Sequence, residues 1–278
     1  MQKKTQYFLL FPCTVLLVFF LVVPLLNSLF PTFFLQSRLS TEAYLQFFRD
    51  SYNLTILSRT IRIALLVTVL CCILGLPTAY FISTVSKKWK GILLALTLFP
   101  LLTNSVVRSF AWINILGKNG IVNRILLLSG LVKTPLTLLY TEFAIIIGSV
   151  YLFLPTMIMT LSGVMEGIEG DYMEAAATLG AGPIRSFLKV ILPLSVPGMI
   201  VGSILVFTGT LTAYTTPQLL GGNKKMMLAT LLYQRATALG DWTSASVIAF
   251  VMIVITFLVM RGFTMLSKLL DRRGEENA

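Results

Sequence analysis

Few side chains in this sequence have the chemistry of a catalytic or metal site. The 278 residues include no histidine, which excludes histidine metal ligands and histidine acid–base catalysis. The three cysteines, Cys13, Cys71 and Cys72, lie inside apolar segments and lack CxxC spacing. We predict that they act as small hydrophobic side chains, and their spacing indicates neither a disulfide nor a bound metal.

The most distinctive spacing of residue types runs from Asp171 to Gly180, between two long apolar segments. Asp171 and Glu174 have the spacing of a helix N-cap residue and its N3 partner. Ala175–Ala177 favours a helix and adds little bulk. Gly180 suits the left-handed position that follows the end of a helix. We predict a short helix with a small-residue face that another protein could approach closely.

A second short helix is predicted to begin at Pro183, because proline suits the first helical turn. Its apolar residues recur at i, i+3, i+4 and i+7 and predict one apolar face: Ile184, Phe187, Leu188 and Ile191. The opposite face would carry Arg185, Ser186 and Lys189. Leu192 and Pro193 close the pattern, and Pro193 is expected to end the helix. On these residues alone, the segment is either a docking element or an amphipathic loop packed on a helical bundle.

Polar side chains inside the apolar segments form a second set of candidates, for a transport path or a gate. Arg108 is a charge within a predicted span, which makes it a functional candidate. Snorkelling to the interface, and packing, are the alternatives for this arginine. Three hydroxyl side chains could line a wet path or bond to the backbone of their own helix: Thr208, Thr212 and Tyr214. Asn104 and Tyr151 complete the set, while Glu142 is expected to cap a span near the interface.

The elements that must carry these residues have the composition of membrane helices. Only 12% of the chain is charged and its mean hydropathy is +0.86, whereas about a quarter of a soluble domain is charged. Six apolar runs approach the roughly 20 residues that cross a bilayer: 7–30, 60–84, 91–115, 142–164, 196–217 and 242–266. The first is longer than a signal-peptide core and lacks a small-x-small cleavage site. We predict an all-α integral membrane protein with six transmembrane helices.

The segments between the spans indicate how the chain is oriented. Six spans put both termini on one side, and the short basic turn Lys87–Lys90 predicts that this side is cytoplasmic, together with Glu174. Apolar residues in 121–128 predict a short helix lying at the interface. The chain has a net charge of +11, and its basic residues flank the spans. They are not interleaved with aromatic residues in the pattern of a nucleic-acid site, so we predict no nucleic-acid partner.

The predicted elements divide the chain into three parts. Residues 1–58 would hold the first transmembrane helix and an outer loop. Residues 59–266 would form the core, with its cytoplasmic loop at about 165–195, and residues 267–278 a cytoplasmic tail.

The pattern EAA-x3-G-x9-[I/V]-x-LP, from Glu174 to Pro193, resembles the EAA loop of bacterial ABC importer permeases. Val190 stands where that family usually has isoleucine, which is a conservative difference. The resemblance implies the MetI-like permease fold in the cell membrane and a coupling helix that docks on a cytoplasmic ABC ATPase dimer. The docking residues would be Asp171, Glu174, Ala175, Ala176, Gly180, Pro183, Leu192 and Pro193. The sequence contains no GxxxxGK[ST], so ATP and Mg²⁺ would bind to the partner, and this chain would be non-catalytic and without a cofactor.

Further segments resemble spermidine/putrescine-type permeases in particular: 99–105 with Arg108 and 111–112, 120–123, 154–155 and 197–198. The resemblance covers nearly the whole chain. It implies a polyamine importer with a distinct second permease subunit and an extracytoplasmic substrate-binding protein. Related importers of opines, phosphonates and ferric iron share much of the pattern and remain alternatives. A secondary transporter is a more distant alternative, because no Asp or Glu lies in the middle of a predicted span.

Overall fold

The computed structural model describes residues 3–35, 38–168 and 171–270, and this part of the chain is almost entirely helical. The first helices are α1 Lys3–Leu29, α2 Glu42–Arg49, α3 Ser51–Thr84, α4 Lys87–Leu102, α5 Ser105–Leu116, α6 Ile121–Leu128 and α7 Glu142–Met165. They are followed by α8 Asp171–Thr178, α9 Pro183–Ser186, α10 Leu192–Leu194, α11 Val196–Thr212, α12 Thr215–Gly221, α13 Leu228–Tyr233 and α14 Trp242–Leu270. The prediction of an all-α membrane protein is confirmed.

Short irregular pieces connect these helices. Turns of 3₁₀ helix occupy Phe30–Phe33 and Asn223–Lys225, and π-helical segments occupy Phe187–Ile191 and Gln234–Ala238. Two antiparallel two-residue strands, β1 Phe34–Leu35 and β2 Arg38–Leu39, pair next to the first helix.

Four described helices are long and apolar enough to cross a membrane, and two bent helix pairs raise the number to six if each pair is one span. The four are Thr14–Phe33, Ser51–Thr84, Glu142–Met165 and Trp242–Leu266. They overlap the first, second, fourth and sixth runs of the sequence. The predicted helix at 121–128 is also present, as α6.

The predicted third and fifth spans are each interrupted in the structure. The third is broken after Leu102, where α4 meets the stretch Ser105–Leu128 at 91°. The predicted fifth span ends at Thr212 and a new helix begins at Thr215, while the stretch that precedes it, Pro183–Leu194, meets α11 at 67°. Hydropathy is continuous across these points, so a window of apolar residues alone does not reveal the breaks.

One compact unit comprises Met1–Thr55 and Leu231–Ile253. Within it, the hydroxyls of Ser28 and Ser246 lie 3.0 Å apart, and the rings of Phe33, Tyr44 and Phe250 pack together with centroids 5.1–5.6 Å apart. The pairing of residues 1–55 with 231–253 is not local in sequence, and the division of the chain at residue 58 remains a prediction.

The other unit comprises Ile56–Thr230 and Val254–Ala278. Its buried core is built mainly from α3, α7 and α11, which approach closely where glycine faces a larger side chain. A Cβ atom on Gly202 of α11 would lie 2.6 Å from the sulfur of Met157, and one on Gly75 of α3 would lie 2.7 Å from its Cγ. Small residues at such points let membrane helices pack tightly, and here they hold the three helices around Met157.

Candidate functional site

The predicted docking segment forms two short helical pieces joined at a glycine. The first, α8, ends where Gly180 takes a φ of +78°. The Gly180 N–H donates to the Ala177 carbonyl (2.9 Å) and the Ala181 N–H to the Ala176 carbonyl (3.0 Å). This pair of bonds is a Schellman motif, in which a left-handed glycine satisfies the last carbonyls of a helix. The prediction that Gly180 ends this helix in the left-handed conformation is therefore confirmed, while its docking role remains a prediction.

The alanines of α8 do not share one face. Glu174 and Ala175 are exposed, whereas the side chain of Ala176 turns inward and is 9% exposed. The side chain of Ala176 is therefore packed against the rest of this chain, and in this conformation it is not accessible to a partner. Asp171 is the first residue of α8; its capping role remains a prediction, because its side chain lies outside the described part.

The second piece begins at Pro183, as predicted, with Gly182 as its N-cap. Its predicted apolar face is wrong in detail. Ile191 is buried and Phe187 half-buried, but Ile184 is 77% exposed and Leu188 is also exposed, while the polar Ser186 is buried. The i, i+3, i+4 pattern also assumes a regular α-helix, whereas a π-helical segment with a wider turn runs from Phe187 to Ile191.

Pro193 does not end this helix, contrary to the prediction. The helical path continues through α10 to Leu194, and the 67° bend to α11 falls at Ser195. Proline is tolerated here because it lies in the first turn of α10, where its missing N–H breaks no regular helical ladder. Leu192 is half-buried and Pro193 exposed.

The two pieces together expose an apolar surface that a single chain leaves uncovered. We call it the coupling surface, and it consists of Tyr172, Leu179, Ile184 and Leu188 with the exposed Glu174. Leu179 is 88% exposed. Beside these residues lies an open groove of about 470 Å³ that includes Pro183, Arg185 and Lys189. Sequence reasoning missed Tyr172 and Leu179, since both sit outside the apolar period; their isolation as large apolar residues between polar neighbours was the available signal.

Two contacts connect this region to the membrane helices. The ring of Phe187 packs on Tyr80 of α3 with centroids 5.0 Å apart. Lys90 of α4 forms an ion pair with Glu166, which follows α7, at 2.7 Å. The second helical piece therefore contacts α3, and the end of α7 that leads into the segment contacts α4.

The candidate path residues Arg108 and Asn104 lie at the break between α4 and α5. Asn104 is the N-cap of α5 and accepts bonds from the N–H groups of Val106 (2.8 Å) and Val107 (3.3 Å). Arg108 is 8% exposed and its Nη1 donates to the carbonyls of Pro100 (2.7 Å) and Thr103 (3.3 Å). These bonds support the packing alternative for Arg108, because its guanidinium satisfies carbonyls at the end of α4.

The other path candidates are dispersed. Tyr151 is half-buried, with its ring 5.7 Å from that of Trp112 at 77°. Thr212 is exposed at the end of α11 and its hydroxyl donates to the carbonyl of Thr208 at 2.9 Å, which supports bonding to its own helix. Thr208 and Tyr214 are half-buried. A lining role for these residues remains a prediction.

A charge cluster that the sequence did not reveal surrounds Glu142, at the start of α7. Its Oε1 lies 3.3 Å from Arg59 Nε and 3.6 Å from Lys225 Nζ, and Arg62 pairs with its other oxygen. Arg59 also donates to the carbonyl of Met226 at 3.0 Å. The partners are about 80 residues apart along the chain, so no local spacing could have predicted them. The cluster joins α3, α7 and the loop before α13.

The family model described as "Binding-protein-dependent transport system inner membrane component" matches residues 5–273. The chain is 31% identical over 266 residues to the spermidine/putrescine transport system permease protein PotB of Haemophilus influenzae, covering 93% of both chains. It is 30% identical over 226 residues to PotB of Escherichia coli, covering 81% of this chain and 82% of that one.

Solved structures share the fold. A bacterial alginate ABC transporter, in complex with an alginate pentasaccharide-bound periplasmic protein, matches with a TM-score of 0.80 at 16% identity, over 97% of this chain and 96% of that one.

Proposed function

The chain belongs to the binding-protein-dependent transport system inner membrane component family and is a permease subunit of an ABC importer, and we propose that its cargo is a polyamine of the spermidine/putrescine class. The proposal is supported by two relatives that carry this cargo in their names and align with more than four fifths of the chain. Importers of opines, phosphonates or ferric iron are the alternatives.

The coupling surface is the site at which the importer would receive work. A separate cytoplasmic ATPase dimer would seat Leu179, Ile184 and Leu188 in a groove and bury their exposed apolar area. Because Phe187 and Glu166 connect this region to α3 and α4, closure of the ATPase would bias the helices between outward- and inward-facing states. The observation that carries the docking proposal is the exposed apolar surface on a chain of this family.

We propose the orientation of the chain with support from one of these contacts. The ion pair of Lys90 with Glu166 brings the basic turn to the same end of the helices as the coupling segment, which supports a cytoplasmic position for both. Both termini would then be cytoplasmic and the loops around α2 and before α14 would face outward. There an extracytoplasmic binding protein would deliver the cargo, to a path shared with a second permease.

Uptake by the reconstituted transporter tests this function. Proteoliposomes with both permeases, the ATPase and the binding protein should accumulate labelled spermidine or putrescine only with ATP inside the compartment that holds the ATPase. Glu174→Lys and Gly180→Pro should abolish uptake, since one reverses the charge on the coupling surface and the other cannot adopt a φ of +78°. Gly180→Asn, which tolerates that φ, is the matched control and should retain uptake.

Two results would contradict the proposal. Uptake driven by an ion gradient without the ATPase would make the chain a secondary transporter. ATP-driven uptake of an opine, a phosphonate or ferric iron, with none of a polyamine, would leave the permease assignment intact and make the cargo wrong.

A further inference from the structure

A cavity of about 400 Å³ lies in the unit formed by Met1–Thr55 and Leu231–Ile253. It is bounded by α2 and by the beginnings of α3 and α14, where three carboxylates line it: Glu42, Asp50 and Asp241. Among the lining residues Arg235 is the one cation, so the formal charge of the cavity is −2. The topology prediction places all of these residues in outward-facing loops.

This negative cavity contrasts with the rest of the chain. The protein carries a net charge of +11 and contains only 11 Asp and Glu residues, of which three line this one space. Glu142, which the topology also places outside, is by contrast surrounded by three cations. An electrostatic attraction for cations is therefore concentrated at the cavity.

Helix capping accounts for part of the chemistry of these acids. Asp50 Oδ1 accepts the N–H of Tyr52 at 2.9 Å, and Asp241 Oδ1 accepts the N–H of Ser244 at 3.0 Å. Hydrogen bonds from Ser244 hold the pKa of Asp241 below its usual range, so this carboxylate is ionised at neutral pH. Asn or Ser would cap equally well, and the helix dipole favours an acid at each helix start separately. Neither effect requires three negative charges around one space.

An amide at the cavity provides an independent indication of a ligand. Asn53 lines the cavity and is 9% exposed. Its Nδ2 donates to the carbonyl of Phe47 at 3.5 Å, but its Oδ1 accepts no hydrogen bond from any described residue. Buried amide oxygens are normally satisfied, so this one calls for a donor. The described residues contain no group of three or more His, Cys, Asp or Glu side chains that could hold a metal, which favours an extended ligand with separate donors.

We propose that this cavity binds an organic diammonium ion. Its two ammonium groups pair with the carboxylates of Glu42, Asp50 and Asp241, and their N–H groups can donate to Oδ1 of Asn53. The charge of a diamine neutralises the cavity, and each ammonium offers three donors to carboxylate and amide oxygens. That the ion is the imported polyamine, held at the outer entrance, rests on the proposed function; the site itself does not.

Binding to the assembled transporter tests the site, in lipid nanodiscs without the binding protein. Putrescine and spermidine are titrated by calorimetry, with Mg²⁺ and the neutral isostere 1,4-butanediol as comparison probes. The double variant Asp50→Asn/Asp241→Asn preserves both caps while it removes two charges, and it should weaken putrescine binding by roughly 10-fold or more. Arg235→Gln removes the cation and should strengthen putrescine binding, by roughly 3-fold. Asp271→Asn, in the tail, is the control for net charge and should have no effect.

Several results would overturn the site. These are no putrescine binding by the wild type, equal affinity in the double variant and the wild type, weaker binding in Arg235→Gln, or Mg²⁺ binding with the same dependence on the carboxylates. Uptake by the same variants in proteoliposomes that also hold the ATPase and the binding protein separates the two proposals. Diamine binding with the expected pattern but no polyamine uptake refutes the cargo and keeps the site, whereas polyamine uptake with binding unchanged in the double variant refutes the site and keeps the cargo.

Discussion

At the scale of single residues, three positions of this permease lie where helices end or begin: Asn104, Arg108 and Gly180. Arg108 donates hydrogen bonds to carbonyls at the end of α4. Asn104, two residues after the end of α4, is the N-cap of α5. Gly180 ends α8 through one left-handed residue. Side chains that a sequence marks as path candidates thus build the corners of the fold, because a backbone break in an apolar medium needs partners for its freed polar groups.

Removing the guanidinium of Arg108 should therefore weaken the fold more than cargo recognition. Arg108→Met leaves the carbonyls of Pro100 and Thr103 without this donor and should cost about 1–3 kcal/mol of stability. Thermal unfolding in detergent should show a lower midpoint, and Arg108→Lys should recover part of the loss. An unchanged midpoint in Arg108→Met, combined with a large loss of polyamine affinity, would instead make Arg108 a ligand-binding residue.

At the scale of elements, sequence reasoning found the helices and their order but not their breaks. The capping and turn residues of α8 and α9 were predictable, because Gly180 and Pro183 act through local backbone geometry. The 91° corner at residue 103 was not read, although Asn104-Ser105 offers an N-cap signal inside an apolar run. The exposure of Ile184 was not predictable, since the periodicity gives the face of a helix but not which part of that face packs against distant residues such as Tyr80.

The packing of α11 on α7 provides a test at this scale. Gly198, Gly202 and Gly209 each lie where a Cβ atom would strike a side chain of α7: Val164, Met157 and Phe153. Gly198→Ala should overpack this contact, because Cγ2 and Cβ of the stiff Val164 side chain lie 2.8 and 3.0 Å from the added Cβ. Stability should fall by about 1–3 kcal/mol, measured as the midpoint of thermal unfolding. Gly163→Ala is the matched control, because a Cβ there meets nothing within 4 Å and its midpoint should not fall. Equal midpoints for Gly198→Ala and wild type would contradict the tight contact.

At the scale of the whole molecule, the features that a single chain cannot explain are the ones that indicate partners. Leu179 and Ile184 remain exposed at one site, and a cavity with a charge of −2 lies beside α2 and the start of α14 in a strongly basic protein. The sequence predicted the coupling segment because its spacing is local. It did not predict the cavity or the ion cluster at Glu142, because those residues meet only after α2, α3, α7 and α14 have folded.

Photocrosslinking from position 184 tests directly whether an ATPase docks on the coupling surface. A photoreactive amino acid replaces Ile184 in the assembled transporter in membranes, and the same residue at Leu239, exposed in the loop before α14, is the control. If the ATPase docks there, we expect an adduct between this permease and the ATPase from position 184 and none from position 239. An assembled, transport-active complex that forms no ATPase adduct from position 184 would contradict it.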